Sequence, residues 1–306
     1  MIRFALSRLA QVLFTIWAIT VLVFALSHAT GSPLDTLLPD DATPEQIAAL
    51  TSRLGLDQPY HIQYLRFLGS ALQGDFGDSL RWRGEPALGL VLDRLPATLG
   101  LGGLAVLISL AVALPLGVVA ATRKDSWIDL LARAIALLGQ AIPAFWLGIV
   151  LIWVFAVWLQ WLPTSGQGGL RHMILPAIAI AWFQIAALVR LTRSAMLDVL
   201  DTEYVKLARI KGLAESRVVW KHAFVNAASV PLTYFGILAG SVLTGSIVVE
   251  TVFSWPGTGW LAIEAIRGRD FPVIQAVVLF FAVIFLAANY LVDLLYAWLD
   301  PRVRHG

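Results

Sequence analysis

LGLGGLAVLISLAVALPLGVVAA, residues 99–121, contains no charged residue and no side chain more polar than Ser109. A run of this length crosses hydrocarbon only as a helix, because each backbone amide there must bond within its own segment. Five further uncharged runs follow the same logic: 9–26, 134–162, 173–189, 227–249 and 273–292. The reading is an all-α membrane protein with six transmembrane helices. The composition agrees, with 58% hydrophobic and 14% charged residues and a mean hydropathy of +0.78, against ~25% charged residues in soluble domains. A soluble globular enzyme is excluded. The formal charge of +2 is too small for a nucleic-acid-binding surface. With no cysteine in the chain, disulfides, thiolate metal sites and thiol nucleophiles are ruled out as well.

The first run follows Arg3 and Arg8 and ends near Ser27, His28 and Ala29, so it resembles a signal peptide. Its apolar stretch exceeds the ~7 to 15 residues of a cleaved signal, so a retained anchor is expected. The run 134–162 is too long for one perpendicular crossing, which predicts a kink or a surface-lying first part up to about Pro143. Counting Lys and Arg in the segments between runs places 14 of 22 on the side of the termini. By the positive-inside rule both termini are cytoplasmic.

Residues 30–96 are too long for a simple turn and read as an extracytoplasmic cap following the first helix at 1–29, with a five-helix core over 97–306. Thr43, Pro44 and Gln46 form an N-cap, first-turn proline and capping-box partner for a helix carrying Ile47, Leu50 and Leu54, with Gly55 ending it. The stretch 59–72, with Tyr60, Ile62, Tyr64, Leu65, Leu68 and Leu72, predicts a helix at the headgroup boundary. Asp75, Gly77 and Gly84 mark a loop. No internal repeat is evident, which weakens a secondary transporter.

The polar segment 190–226 is the most informative. Asp201 or Thr202 caps a predicted helix over 203–211, Gly212 occupies the position of a left-handed C-terminal cap, and Leu213 supplies its apolar contact before helix resumes at 214–224. Lys206, Arg209 and Lys211 give this short rod charge, and Tyr204, Leu207 and Ala208 a small uncovered apolar face. Composition alone allows two uses: docking on a partner protein, or lying on anionic lipid.

RSAMLDVLDTEYVKLARIKGLAESRVVWKHAFVN at 193–226 resembles the cytoplasmic EAA loop of ABC importer permeases, in the dipeptide, oligopeptide and nickel branch. The resemblance extends through LGLDQPYHIQYLRFL (54–68), GDFGDSL (74–80), RLPATLGL (94–101), WLPTSG (161–166), ETVFSWPGTGWL (250–261), RDFPVIQA (269–276) and LDPR (299–302). Gly212 and Ala208 align with the loop glycine and second alanine of the motif. Lys206 and Leu207 replace its glutamate and first alanine, and the proline falls late, at Pro231. The resemblance implies a type I ABC importer permease fold in a bacterial inner membrane, with Glu203, Tyr204, Leu207, Ala208, Arg209, Lys211 and Gly212 coupling to an ATPase. It further implies a second homologous permease, two ATP-binding cassette subunits carrying ATP and Mg, and an extracytoplasmic binding protein. Dipeptides or oligopeptides are the expected cargo, with nickel or metal chelates, glutathione and opines as alternatives within the branch. The chain itself holds no G-x-x-x-x-G-K-[ST] and no Gly-Lys pair, so hydrolysis falls to a partner.

Polar groups inside spans are candidates for function. These are Gln140, Gln184, Glu250, Asn289 and Asp293, with Ser241 and Thr244 as hydroxyls beside the small residues Gly236, Gly240 and Gly245. Gln140, Gln184, Ser241, Thr244 and Glu250 are the pathway or gate candidates, against the plainer roles of helix packing and end capping. His28, His61, His172, His222 and His305 show no metal-ligand spacing. Trp158, Trp161, Trp255, Trp260 and Trp298 read as interfacial anchors. An intramembrane enzyme would need H-E-x-x-H, G-x-S-x-G or paired carboxylates, and none occurs. An ion-coupled carrier or channel remains the rival of another class.

Overall fold

A computed structural model describes residues 2–29, 34, 38, 41–82 and 84–299, and their side chains except at 2–4, 29, 53–54, 235–245, 288 and 291–299. Helices are the regular elements of the described residues, with turns and loops between them and no strand; one isolated antiparallel bridge joins Asp78 and Pro86. Two compact units emerge, Met1–Pro96 with Gly257–Gly306, and Ala97–Pro256.

In the first unit, α1 (Ile2–Ala29) and the last helix run antiparallel, Gln275 donating to Ser27 Oγ (3.2 Å) near one end and the Tyr290 hydroxyl to the Ala5 carbonyl (3.4 Å) near the other. Helix α2 (Pro44–Leu54) starts at the expected capping box, with Gln46 N–H donating to Thr43 Oγ1 and Thr43 N–H to Gln46 Oε1. Helix α3 (Tyr60–Leu72) forms as expected and runs antiparallel to α1, against it. His28 Nε2 is 3.0 Å from Gln63 Oε1, Thr20 Oγ1 is 2.8 Å from the Tyr64 hydroxyl, and Phe24 packs on Tyr64 and Phe67. The stripe that reads as lipid-facing in sequence is thus partly spent on α1: aromatic contacts and two polar links hold the helix there.

Helix α4 (Ala87–Thr122) begins in this unit, where Ala87, Leu90 and Val91 pack with Leu261, Ala265, Val273 and Val277. The last three helices of the chain are α11 (Ser229–Val252), α12 (Thr258–Arg267) and α13 (Phe271–Leu299). Asp270 precedes α13 and is fully buried; it accepts from Ser79 Oγ (2.5 Å), Arg81 N–H (3.1 Å) and Val273 N–H (3.4 Å). One carboxylate therefore caps a helix and pins the loop after α3.

The second unit packs the rest of α4 with α5 (Trp127–Ala141), α6 (Ala144–Leu151, extended by a π-helical turn, Ile152–Trp158), α7 (Leu170–Leu200) and α11. Its core includes Leu101, Leu175, Leu188, Val249, Phe253 and Trp255, with alanines at 177, 179, 181, 186 and 187 giving α7 a smooth surface for close approach. The expected kink is present. Ile142 is extended ahead of Pro143, and the helices on either side bend by 110°. Trp255 is a correction to the anchor reading: it is buried, its indole donating to the Ala97 carbonyl at 3.1 Å. Core packing claims this ring before any interface can.

Among the described residues three helices are long and apolar enough to cross a membrane, at Ala5–His28, Ala87–Thr122 and Leu170–Leu200, and the pair α5 and α6, bent by 110°, is apolar enough to be a fourth if it is one broken span. Gly139 sets the approach of α5 to α7, since a Cβ there would collide with Ala186 Cβ and lie 3.2 Å from the Trp182 carbonyl. Gly139→Val is expected to destabilise the helix pair by about 2 kcal/mol through overpacking, read as a lower melting temperature in detergent.

Candidate coupling site

Helix α7 ends at Leu200, and after Asp201 and Thr202 the chain turns into α8 (Glu203–Ile210). Thr202 takes the N-cap position, but its hydroxyl donates to the Val199 carbonyl (2.6 Å) rather than capping α8. At the other end Gly212 adopts φ +76°. Its N–H donates to the Arg209 carbonyl (2.9 Å), and Leu213 N–H to the Ala208 carbonyl (3.4 Å), the paired bonds of a Schellman cap. Helix resumes as α9 (Glu215–Arg217), passes through a π-helical turn (Val218–Ala223) and continues as α10 (Phe224–Ala227).

The rod is held from below. Val205 and Ala208 are buried against Val218, Val219 and Ala223, in a cluster that also takes in Met196 of α7 and Val118 of α4. Ala208 is therefore a correction: it faces inward, not outward, because helical spacing puts it beside Val205 on the packed side. The exposed apolar face consists of Tyr204 (44% exposed), Leu207 (50%) and Ile210 (81%). Ile210 escaped the sequence reading, although its spacing of three from Leu207 was the available signal.

The rod's charges are largely satisfied locally. Lys206 pairs with Asp201 (3.1 Å) and Glu203 (3.2 Å), which raises its pKa. Arg209 pairs with Glu215 across the glycine turn at 2.7 Å and holds that carboxyl below its ordinary 4.5. The Glu215 clasp therefore contributes fully above pH 4.5 and is lost as pH falls through the depressed value. Both partners are solvent-exposed, so its contribution is at most about 1 kcal/mol. Glu215→Gln is expected to leave the fold intact and to lower the melting temperature only slightly at neutral pH.

A second lock sits between α5 and α7. Asp129, fully enclosed, receives Arg193 through two bonds (2.5 and 2.9 Å) and the Asp125 N–H (3.1 Å), with Arg133 at 3.5 Å. This buried carboxylate, which joins the start of α5 to the last turns of α7, is not legible in sequence, since 64 residues separate it from Arg193.

Gln140, Gln184 and Glu250, the pathway candidates with described side chains, each have a different polar partner. Gln140 is exposed and accepts from Arg190 (3.3 Å). Gln184 is buried and accepts from Ser109 (3.0 Å). Glu250 is fully buried and accepts from Thr98 (2.8 Å), joining α4 to α11. The side chains of Ser241, Thr244 and Asp293 lie outside the described residues, although the helices that carry them are described.

A rod thus projects from the end of one long helix, packed on its inner side and apolar on its outer one. The model for "Binding-protein-dependent transport system inner membrane component" matches residues 113–305, and that for the N-terminal part of such membrane components matches residues 1–102. The chain belongs to this family of ABC importer permeases. The permease is 36% identical to a dipeptide transport system permease protein of Alkalihalophilus pseudofirmus, over 100% of both chains. It is 39% identical to an oligopeptide transport system permease protein of Bacillus subtilis over 94% of each. It is likewise 39% identical to a glutathione transport system permease protein of Salmonella paratyphi A over the full length of both. As a member of this family the permease is a multi-pass membrane component of a transport system.

Proposed function

We propose that the permease forms half of the translocation pathway of an ATP-driven, binding-protein-dependent importer of dipeptides or oligopeptides. The observation that carries this reading is the outward apolar face of Tyr204, Leu207 and Ile210 on a rod whose other side is locked into the second unit. Such a face suits a cleft on an ATP-binding cassette subunit. ATP-driven closure of two such subunits, one under this chain and one under a second homologous permease, pushes α8. Because Val205 and Ala208 pack on both the α7 end and the 215–227 run, the push reaches α7 and α11 as rigid elements.

Six spans complete the reading. Helices α11 and α13, 24 and 29 residues long, extend about 36 and 44 Å at 1.5 Å per residue, enough to add two spans to the three long apolar helices and the bent pair taken as one. The Lys and Arg distribution puts both termini and α8 on the cytoplasmic side of a bacterial inner membrane. Residues 30–96 then form the outer cap facing the binding protein, residues 97–306 the core, and 190–226 the coupling loop. The coupling residues are Glu203, Tyr204, Leu207, Arg209, Lys211 and Gly212, with Ala208 as the packing contact beneath. Peptide cargo is supported by the dipeptide and oligopeptide relatives, and glutathione is the second reading, supported by the Salmonella relative.

The test uses the absence of native cysteine. A cysteine at Leu207 is expected to crosslink to the ATPase in the assembled complex, and one at exposed Leu65 on α3 is not. Crosslinking that is equal at both positions, or absent at Leu207, refutes the docking assignment. Cargo is read separately, by native mass spectrometry of the ligand carried by the co-purified binding protein.

A further inference from the structure

The cavity between α5 and α7, about 410 Å3, is lined by Arg133, Arg190 and Arg193 with Gln140, and by the apolar side chains of Leu137 at its rim and Val189. Three guanidiniums meet two nearby carboxylates: Asp129, whose oxygens are already taken by Arg193, Arg133 and the Asp125 N–H, and the Asp125 side chain, whose charge also acts on Arg193. Arg190 bonds only to the neutral Gln140 oxygen among the described residues. Three guanidiniums against two carboxylates leave an excess of positive charge, and among the described residues the Arg190 donors meet no anion. A small soluble anion would satisfy that charge but would leave its surroundings unexplained. On the same helix Leu130, Leu137 and Leu138 are 63%, 72% and 49% exposed, an apolar skirt beside the basic pocket. Positive donors next to exposed hydrocarbon are the chemistry that recognises an anionic amphiphile.

We propose that this cavity binds the phosphodiester of an anionic phospholipid, with Arg190 and Arg133 holding the phosphate and the α5 leucines lying along an acyl chain. The site stands apart from the transport reading: it requires only that the α5 and α7 ends lie at a membrane surface. Arg193 stays engaged with Asp129 and shapes the cavity wall. The bound lipid would brace α5 against α7 at the base of the coupling rod.

The experiment uses the complete complex, purified in neutral detergent and examined by native mass spectrometry with added phosphatidylglycerol, phosphatidylcholine or inorganic phosphate. Phosphatidylglycerol is expected to remain bound where phosphatidylcholine does not. The double substitution Arg133→Gln and Arg190→Gln is expected to weaken retention about tenfold or more, as loss of charge-assisted bonds does. Leu137→Glu, a change at an exposed position that leaves every arginine in place, is expected to weaken it as well by like-charge repulsion. Equal retention of the two lipids overturns the proposal, as does phosphatidylglycerol binding that neither variant changes. Displacement by millimolar inorganic phosphate assigns the pocket to a free anion, and displacement by a peptide cargo assigns it to the pathway; either result also overturns it.

Discussion

Replacing Gly212 by valine is expected to abolish coupled uptake, while the spans still insert and ATP hydrolysis by the assembled complex persists without driving transport. The cause is local and purely conformational. Gly212 sits at φ +76°, and nothing lies within 4 Å of where a Cβ would be placed, so the substitution meets no clash. It meets backbone strain instead, roughly 1–2 kcal/mol for a residue with a Cβ and more for a β-branched one. That strain shifts the rod out of its capped geometry by about tenfold in population, losing the bonds from Gly212 to Arg209 and from Leu213 to Ala208. Gly212→Asn, which tolerates the left-handed region, is expected to keep most of the activity. Parallel assays of peptide uptake and ATPase rate in reconstituted vesicles check the series. Coupled uptake undiminished in the valine variant would remove the mechanical role assigned to this turn.

Asp129→Ala is expected to lower the stability of the purified permease by on the order of 3 kcal/mol, because it strands Arg193 at a partly buried site without its partner. Arg193 is only 20% exposed and directs two bonds at that carboxylate. The double variant Asp129→Leu, Arg193→Met removes both charges and is expected to recover most of the loss, since a buried ion pair and an apolar pair of similar volume are often close in stability. Melting temperatures of the native chain, Asp129→Leu, Arg193→Met and the double variant in one detergent form a double-mutant cycle. Additive losses would show that the two side chains act independently.

Particular residues show how legibility divides. The kink at Pro143 and the capping box at Thr43 follow from rules that act within a few residues, and both appear where the sequence places them. Gly212 is legible for the same reason: a left-handed cap is a local demand. Tyr204 and Leu207 are correctly placed outside, but Ala208 is not, because an alanine is small enough for either side and only the neighbours at 218–223 decide. Trp255 fails for a related reason: an aromatic residue announces burial without saying whether lipid or protein provides it.

The sequence by itself determined the helical class, the membrane setting and the cap of the rod, since hydropathy, proline, glycine and capping act over short stretches of chain, and its motifs carried the resemblance to the family. Tertiary structure alone decided the Asp129 to Arg193 lock, the Glu250 to Thr98 link and the basic cavity between α5 and α7. Those features pair side chains 50 or more residues apart. A partner at that distance is chosen by the packing of whole helices, which no local rule encodes.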